Sequence, residues 1–242
     1  MVELTRRGTM GGLVTGAAGL ALAGQAASAQ GPAAAAAKVP AYAANHQPRP
    51  LPFDPKALRG LSEKLIVSHW QNNYGGSVRA LNTIETRLGE ALADPDFPAL
   101  VHGGLKREEL NRTGSVILHE LYFGALGGDG VAAGTIREAL VVAFGSFAAW
   151  ERDFRRTAMA LAGGSGWCVL AYNAHTGTLH NHWGADHMHA AAAAAPLIAL
   201  DMYEHSYHID YGANAGAYVD AFMSNLDWSV IEARYRGALA VT

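Results

Sequence analysis

The sequence predicts an α+β fold: an N-terminal helical hairpin followed by a small, mostly antiparallel three-stranded sheet flanked by helices. Three observations carry this. Apolar residues after Leu51 recur at three- and four-residue steps through two long runs. Glycines close the second run, at Gly127-Gly128 and Gly130. Beyond residue 160 the pattern shortens into brief β-type stretches punctuated by Gly177 and Gly184.

Residues 1–29 read as a removable targeting segment. Arg6-Arg7 is followed by a mildly apolar Gly/Ala stretch from Gly11 to Gly24, and Ala27-Ser28-Ala29 offers small residues for cleavage. Paired arginines with weak hydrophobicity resemble a twin-arginine (Tat) signal, implying the Tat export machinery as a partner and a periplasmic or secreted location. The apolar stretch is too short and glycine-rich for a stable membrane anchor. Residues 30–50 carry Ala33–Ala37 and recurring prolines without apolar periodicity, which predicts a disordered or extended linker.

Residues 51–130 form the expected hairpin domain. Leu58, Leu61, Leu65, Ile66 and His69 mark a first helical run over 55–93, with a kink at Gly75-Gly76 and an end at Asp94-Pro95. A second run spans about Lys106 to Leu126. Residues 131–242 form the expected α/β domain. Thr135-Ile136-Arg137-Glu138 has capping-box spacing and opens a third helix, which Phe144-Gly145-Ser146 ends; a fourth continues to about Leu161. Strands are expected at 166–172, 177–183 and 196–202. Ser229-Val230-Ile231-Glu232, a second capping box, opens the last helix.

With 242 residues, half of them apolar, the chain has ample material for a core. A formal net charge of −3 gives no basis for nucleic-acid binding. The single cysteine, Cys168, excludes an internal disulfide and a cysteine-rich zinc site, so a metal would need the chain's 11 histidines and its carboxylates.

Two histidines sit on core-facing helical stripes: His69 with Leu65, Ile66 and Asn73, and His119 with Ser115, Val116, Tyr122 and Phe123. Taken singly, each reads as a buried, hydrogen-bonded ring; together on neighbouring helices they could form a metal site. Asp201 ends the apolar run Pro196–Leu200, where an unpaired carboxylate would be costly, and His205 follows four residues later. Three imidazoles and a carboxylate suit iron or manganese. Separately, His180, His182, His187 and His189 could form a zinc- or copper-binding module or a solvated hairpin, or lie around a buried metal.

Four segments resemble the iron/manganese superoxide dismutases, in order, from Leu51 to about Tyr235: Leu51–Leu58; Phe144-Gly145-Ser146 continuing to Gly164–Trp167; Leu200–Tyr207; and Asn225–Trp228. The third, Leu200-Asp201-Met202-Tyr203-Glu204-His205-Ser206-Tyr207, is similar to the family signature, which usually has Trp where this chain has Tyr203. The resemblance implies one iron or manganese ion per subunit held by His69, His119, Asp201 and His205, with superoxide as substrate. It implies an enclosing aromatic shell of Trp167 and Tyr203, and a Glu204 that reaches a ligand histidine of another subunit in a homodimer or dimer of dimers.

The departures concern the surroundings of the metal. Ser77 stands where the family usually has a channel Tyr, and Asn73 where it has a histidine that meets another subunit's Tyr, matched here by Tyr207. Phe123 replaces the usual Trp beside the second histidine. The residue that bonds solvent beside the metal comes from one of two places. Ser115, at the first, is short, so His187 is expected to serve, with His189 as fallback. Asn73, Ser77 and water, with Tyr74 nearby, are expected to replace the channel Tyr. These changes leave open a relative that binds metal with altered or lost redox activity.

Overall fold

The computed structural model describes residues 39–240; the expected targeting segment and the start of the linker lie outside the described residues. From residue 39 the chain makes a short 3-10 turn, Pro40–Tyr42, and then an arm without regular structure to residue 50. Hydrogen bonds hold this arm down. The backbone N–H groups of Ala44, His46 and Arg49 donate to Glu85 Oε2 (2.7 Å), Asn82 Oδ1 (2.9 Å) and the Tyr74 hydroxyl (2.7 Å).

Helix α1 (Glu63–Ser68) starts where Ser62 Oγ accepts from Leu65 N–H, a side-chain N-cap. It runs into a π-helical stretch, His69–Tyr74, and then into α2 (Gly75–Ala93). The expected run over 55–93 is therefore three pieces, and Pro55–Ala57 is only a 3-10 turn. The irregularity lies just before the two glycines rather than at them. Gly75 N–H reaches back five residues to Trp70 O, the bond of a π turn. Helix α3 (Ala99–Gly124) folds back on α2 and begins seven residues earlier than its apolar pattern indicated. Pro98, at its N-cap, has extended backbone, and exposed Leu100 and Val101 hide the start from a periodicity reading.

Helix α4 (Gly134–Phe144) ends at Gly145 with φ +80°, and Ser146 Oγ caps α5 (Phe147–Met159) by accepting from Ala149 N–H. Trp150, Phe154 and Ala158, on one stripe of α5, are fully buried. The sheet has the order β2-β1-β3, with both pairings antiparallel: β1 is Trp167–Asn173, β2 Thr178–Gly184 and β3 Ala194–Asp201. After it come α6 (His208–Tyr211), α7 (Ala215–Ser224) and α8 (Trp228–Ala240). Helix α7 has no counterpart among the expected elements, although its buried Tyr218, Val219 and Phe222 belong to the core.

Both expected capping boxes are corrected. Helix α4 has no cap of its own; Glu232, from α8, accepts from Ile136 N–H (2.8 Å) and the Thr135 hydroxyl (2.6 Å). Helix α8 is capped by Asp227, whose Oδ1 accepts from Ser229 N–H at 3.0 Å. Among the described residues, no helix is long and apolar enough to cross a membrane.

Candidate metal centre

Four elements deliver one side chain each to the centre of the core. His69 opens the π stretch, His119 lies in the last turns of α3, Asp201 ends β3, and His205 sits in the 3-10 turn Glu204–Ser206. Their ligand atoms lie within 4.8 Å of one another. Asp201 Oδ2 is the hub, with the Nε2 atoms of His69, His205 and His119 at 3.1, 3.2 and 3.6 Å. His69, His119 and Asp201 are buried, whereas the His205 side chain is 28% exposed, so the cluster opens on the His205 side.

The proton positions decide whether this is a hydrogen-bonded core or a metal site. His119 Nδ1 lies 2.7 Å from the Ser115 carbonyl oxygen, which only accepts, so the proton of a neutral His119 ring is on Nδ1. Its Nε2 is then a bare lone pair, buried, without a hydrogen-bond partner, facing a carboxylate oxygen. Two acceptors held together in a dry interior repel unless a cation lies between them. The donor set fits a metal ion on this ground.

The electrostatics agree. Burial lowers the pKa of His69, and burial together with neighbouring His69 pushes that of His119 down to about 3, which keeps both lone pairs available. Burial alone would raise the Asp201 carboxyl; hydrogen bonds and charge from His205 and His69 outweigh it and hold the group well below the usual carboxylate range. His69 and His119 are thus neutral rings beside a buried carboxylate. Its backbone is fixed as well: the hydroxyls of Ser206 and Tyr218 donate to Asp201 O at 2.8 and 2.7 Å. Nothing in the sequence pattern marked Tyr218 for this task.

The sheet register builds the aromatic wall. Trp167 pairs with Asp201 on β3 and with Gly184 on β2, so the turn leaving β2 emerges beside the Trp167 indole. That turn carries His187, and Trp167 Nε1 donates to His187 Nδ1 at 2.8 Å. The His187 ring stacks on Tyr203 (4.9 Å between centroids) and lies 5.9 Å from the His119 ring. His189 points elsewhere: it is mostly exposed, and its Nδ1 accepts from Ala185 N–H. Of the two candidates, His187 is therefore the one beside the centre.

The remaining expected residues divide. Ser77 is buried, with its Oγ 2.8 Å from Ser115 Oγ, which lies 3.3 Å from His119 Nδ1. Asn73 is half-buried. The Tyr74 hydroxyl is taken up by Arg49 N–H and Glu120, and burial raises its pKa, so it is committed away from the cluster. Phe123 packs 5.0 Å from the His69 ring. Glu204 is exposed, 3.4 Å from His208 Nε2. Tyr207 is buried in its own chain and stacks on Tyr218, leaving Glu204 and His208 as the exposed side chains of this turn. Ser115, set aside in the sequence as too short, turns out to hold His119; its place one helical turn before the histidine was the available signal.

The group His180, His182, His187 and His189 disperses. His180 and His182 remain neighbours on β2, while His187 and His189 turn to Trp167 and to Ala185. Among the described residues, His69, His119, Asp201 and His205 form the only cluster of metal-ligating side chains of this kind.

Comparison with known proteins gives a consistent picture. Residues 132–234 match the model of the C-terminal domain of iron/manganese superoxide dismutases. The chain is 49% identical over 194 residues to an iron superoxide dismutase of Cupriavidus metallidurans, an overlap of 80% of this chain and 98% of the relative. It is 34% identical over 194 residues to a manganese superoxide dismutase of Halobacterium salinarum, covering 78% and 94%. It is 32% identical over 196 residues to an iron superoxide dismutase of Aquifex pyrophilus, covering 76% and 89%.

Proposed function

This chain belongs to the iron/manganese superoxide dismutases, and from that premise we propose how its residues divide the work of converting superoxide to oxygen and hydrogen peroxide. His69, His119, Asp201 and His205 hold one iron or manganese ion per subunit. The observation that carries this assignment is the buried, unpartnered Nε2 of His119 aimed at the Asp201 carboxylate. When bound, the ion supplies one-electron cycling between its trivalent and divalent states, by which one superoxide is oxidised and the next reduced with uptake of two protons.

The protein supplies the rest. Asp201 keeps its charge through its imidazole neighbours, so a multivalent cation is favoured in the dry core. Trp167 Nε1–H occupies Nδ1 of His187, so the proton of the neutral His187 ring is on Nε2. His187 then acts as a fixed donor to an anion or solvent molecule entering the site, with Tyr203 packed flat against it. Entry is from the half-exposed side of His205 and Tyr203, because His69, His119 and Asp201 are sealed by the core.

The deciding experiment pairs elemental analysis with a superoxide-consumption assay on one purified sample. Iron or manganese near one ion per chain with turnover is expected. Metal without turnover would overturn the catalytic reading.

Residues 1–29 act as a Tat-type export signal in this reading, supported by Arg6-Arg7 and Ala27-Ser28-Ala29. Mature protein beginning at Gln30 in the periplasm is expected, and its retention in the cytoplasm would refute export. The assembly is at least a dimer with Glu204 at the contact, supported by the exposure of that carboxylate beside a ligand histidine; a monomer by sedimentation would refute it.

A further inference from the structure

We propose that Ser77 and Ser115 are positioning residues that act on the metal through His119, and not on the anion that enters the site. This rests on the reading of His119 as a ligand. Ser77 lies on α2 and Ser115 on α3, and their hydroxyl oxygens are 2.8 Å apart in the buried seam between the two helices. Ser115 Oγ is also 3.3 Å from His119 Nδ1, on the edge of the ring opposite the lone pair offered to the metal. The Nδ1 proton is therefore shared between two acceptors of one residue, the Ser115 carbonyl at 2.7 Å and its hydroxyl.

The direction of the chain follows from the His119 proton. Ser115 is buried, and of the two polar atoms beside its hydroxyl His119 Nδ1 is already a donor, so the Ser115 proton goes to Ser77 Oγ. The sequence of donation is His119 Nδ1–H to Ser115 Oγ, and Ser115 Oγ–H to Ser77 Oγ. Each donation makes the oxygen before it a better acceptor, so Ser77 strengthens the pull on the His119 proton across two bonds. A stronger pull makes the ring more electron-rich at Nε2, which favours the trivalent over the divalent ion. Ser77 stands where the family usually places a channel tyrosine, yet its hydroxyl is turned to a neighbouring helix and its residue is 6% exposed.

The test compares Ser77→Ala, Ser77→Thr and Ser115→Ala with the wild type, all as metal-loaded protein of measured metal content. Ser77→Ala and Ser115→Ala should shift the metal's midpoint potential to more positive values. Azide affinity and its pH profile should stay at the wild-type value in Ser77→Ala. Ser77→Thr, which keeps the hydroxyl, should restore the wild-type potential. In the metal-free protein the His119 Nδ1 proton, followed by NMR, should exchange faster in both alanine variants. An unchanged potential in Ser77→Ala overturns the proposal, and an altered azide affinity in its place would make Ser77 a channel group. Should the wild type bind metal and consume no superoxide, the functional reading fails, while the potential and proton-exchange comparisons still decide this one.

Discussion

Trp167 Nε1 donates to His187 Nδ1 at 2.8 Å, and this one bond puts the proton of the neutral His187 ring on Nε2. The donor on one side of the ring dictates the tautomer on the other. Trp167→Phe keeps most of the buried surface and removes the N–H. Superoxide turnover should fall by about 10- to 100-fold with metal content unchanged, the usual range when a supporting hydrogen bond is lost. Steady-state rates beside elemental analysis check this; a full-rate Trp167→Phe would detach the bond from catalysis.

Asp201→Asn exchanges the charged hub for a neutral amide of the same shape. Three Nε2 atoms lie within 3.6 Å of Asp201 Oδ2, so the loss falls on every ligand at once. Metal affinity should drop by at least about 100-fold, as expected when a direct ligand rather than a supporting group is changed. A chelator competition reads this directly. Undiminished binding would move the metal elsewhere in the chain.

Gly114 makes room for the turn that carries His187. A Cβ there would lie 1.9 Å from His187 O and 3.0 Å from its carbonyl carbon, both backbone atoms that cannot swing aside. Gly114→Ala should push the turn off α3 by about 1 Å, a displacement able to cost on the order of 100-fold in rate. Ala would otherwise favour the helix by about 1 kcal/mol. A variant that is both fully active and more stable would show that the turn gives way freely.

Glu232 ties α8 to the start of α4, and its stabilisation depends on pH. Burial works against its charge, but hydrogen bonds from Thr135 and Ile136 and the pairing with Arg236 lower its pKa from 4.5 to about 2. A carboxylate depressed in the folded state stabilises fully above its unfolded pKa and loses that contribution as pH falls through its folded value. Glu232→Gln should therefore cost about 1–2 kcal/mol at neutral pH, on the scale of a charge-assisted cap. The gap to wild type should narrow below about 4.5 and close near 2. Urea unfolding across that range measures it; a gap independent of pH would assign the loss to packing.

Local features were readable in the sequence, and features made by distant segments were not. Asp201 and His205, four residues apart after an apolar strand, announced themselves because one short contiguous segment carries both. His69 and His119 were ambiguous until the resemblance to the family signature joined them to that pair, since a single polar ring on an apolar stripe fits two explanations. The three strands lay within two residues of their expected ends, because glycines flank β1 and β2 and the apolar run Pro196–Leu200 marks β3. Glu232 could not be seen as the cap of α4, since 96 residues separate it from Ile136. Thr135 and Ser229 had the spacing of local caps, but Glu232 from α8 took the first position and Asp227, two residues upstream, the second. Ser77 was legible as a departure from the family pattern, while its bond to Ser115 exists only once α2 and α3 pack.

The π-helical stretch His69–Tyr74 bears on how this protein can change length. An α-helix turns about 100° per residue, and a π turn absorbs one residue more than an α turn does. Helices α1 and α2 are therefore out of phase, and His69 stands at the splice. Removing one residue between Trp70 and Tyr74 would let the two helices merge into a continuous spiral with better local bonding. That same repair would rotate His69 relative to the face of α2 that holds Ser77 against Ser115. Insertions and deletions that a surface helix tolerates would here be selected against, and lineages that keep the metal centre should keep the number of residues between His69 and Ser77 constant even as their identities drift.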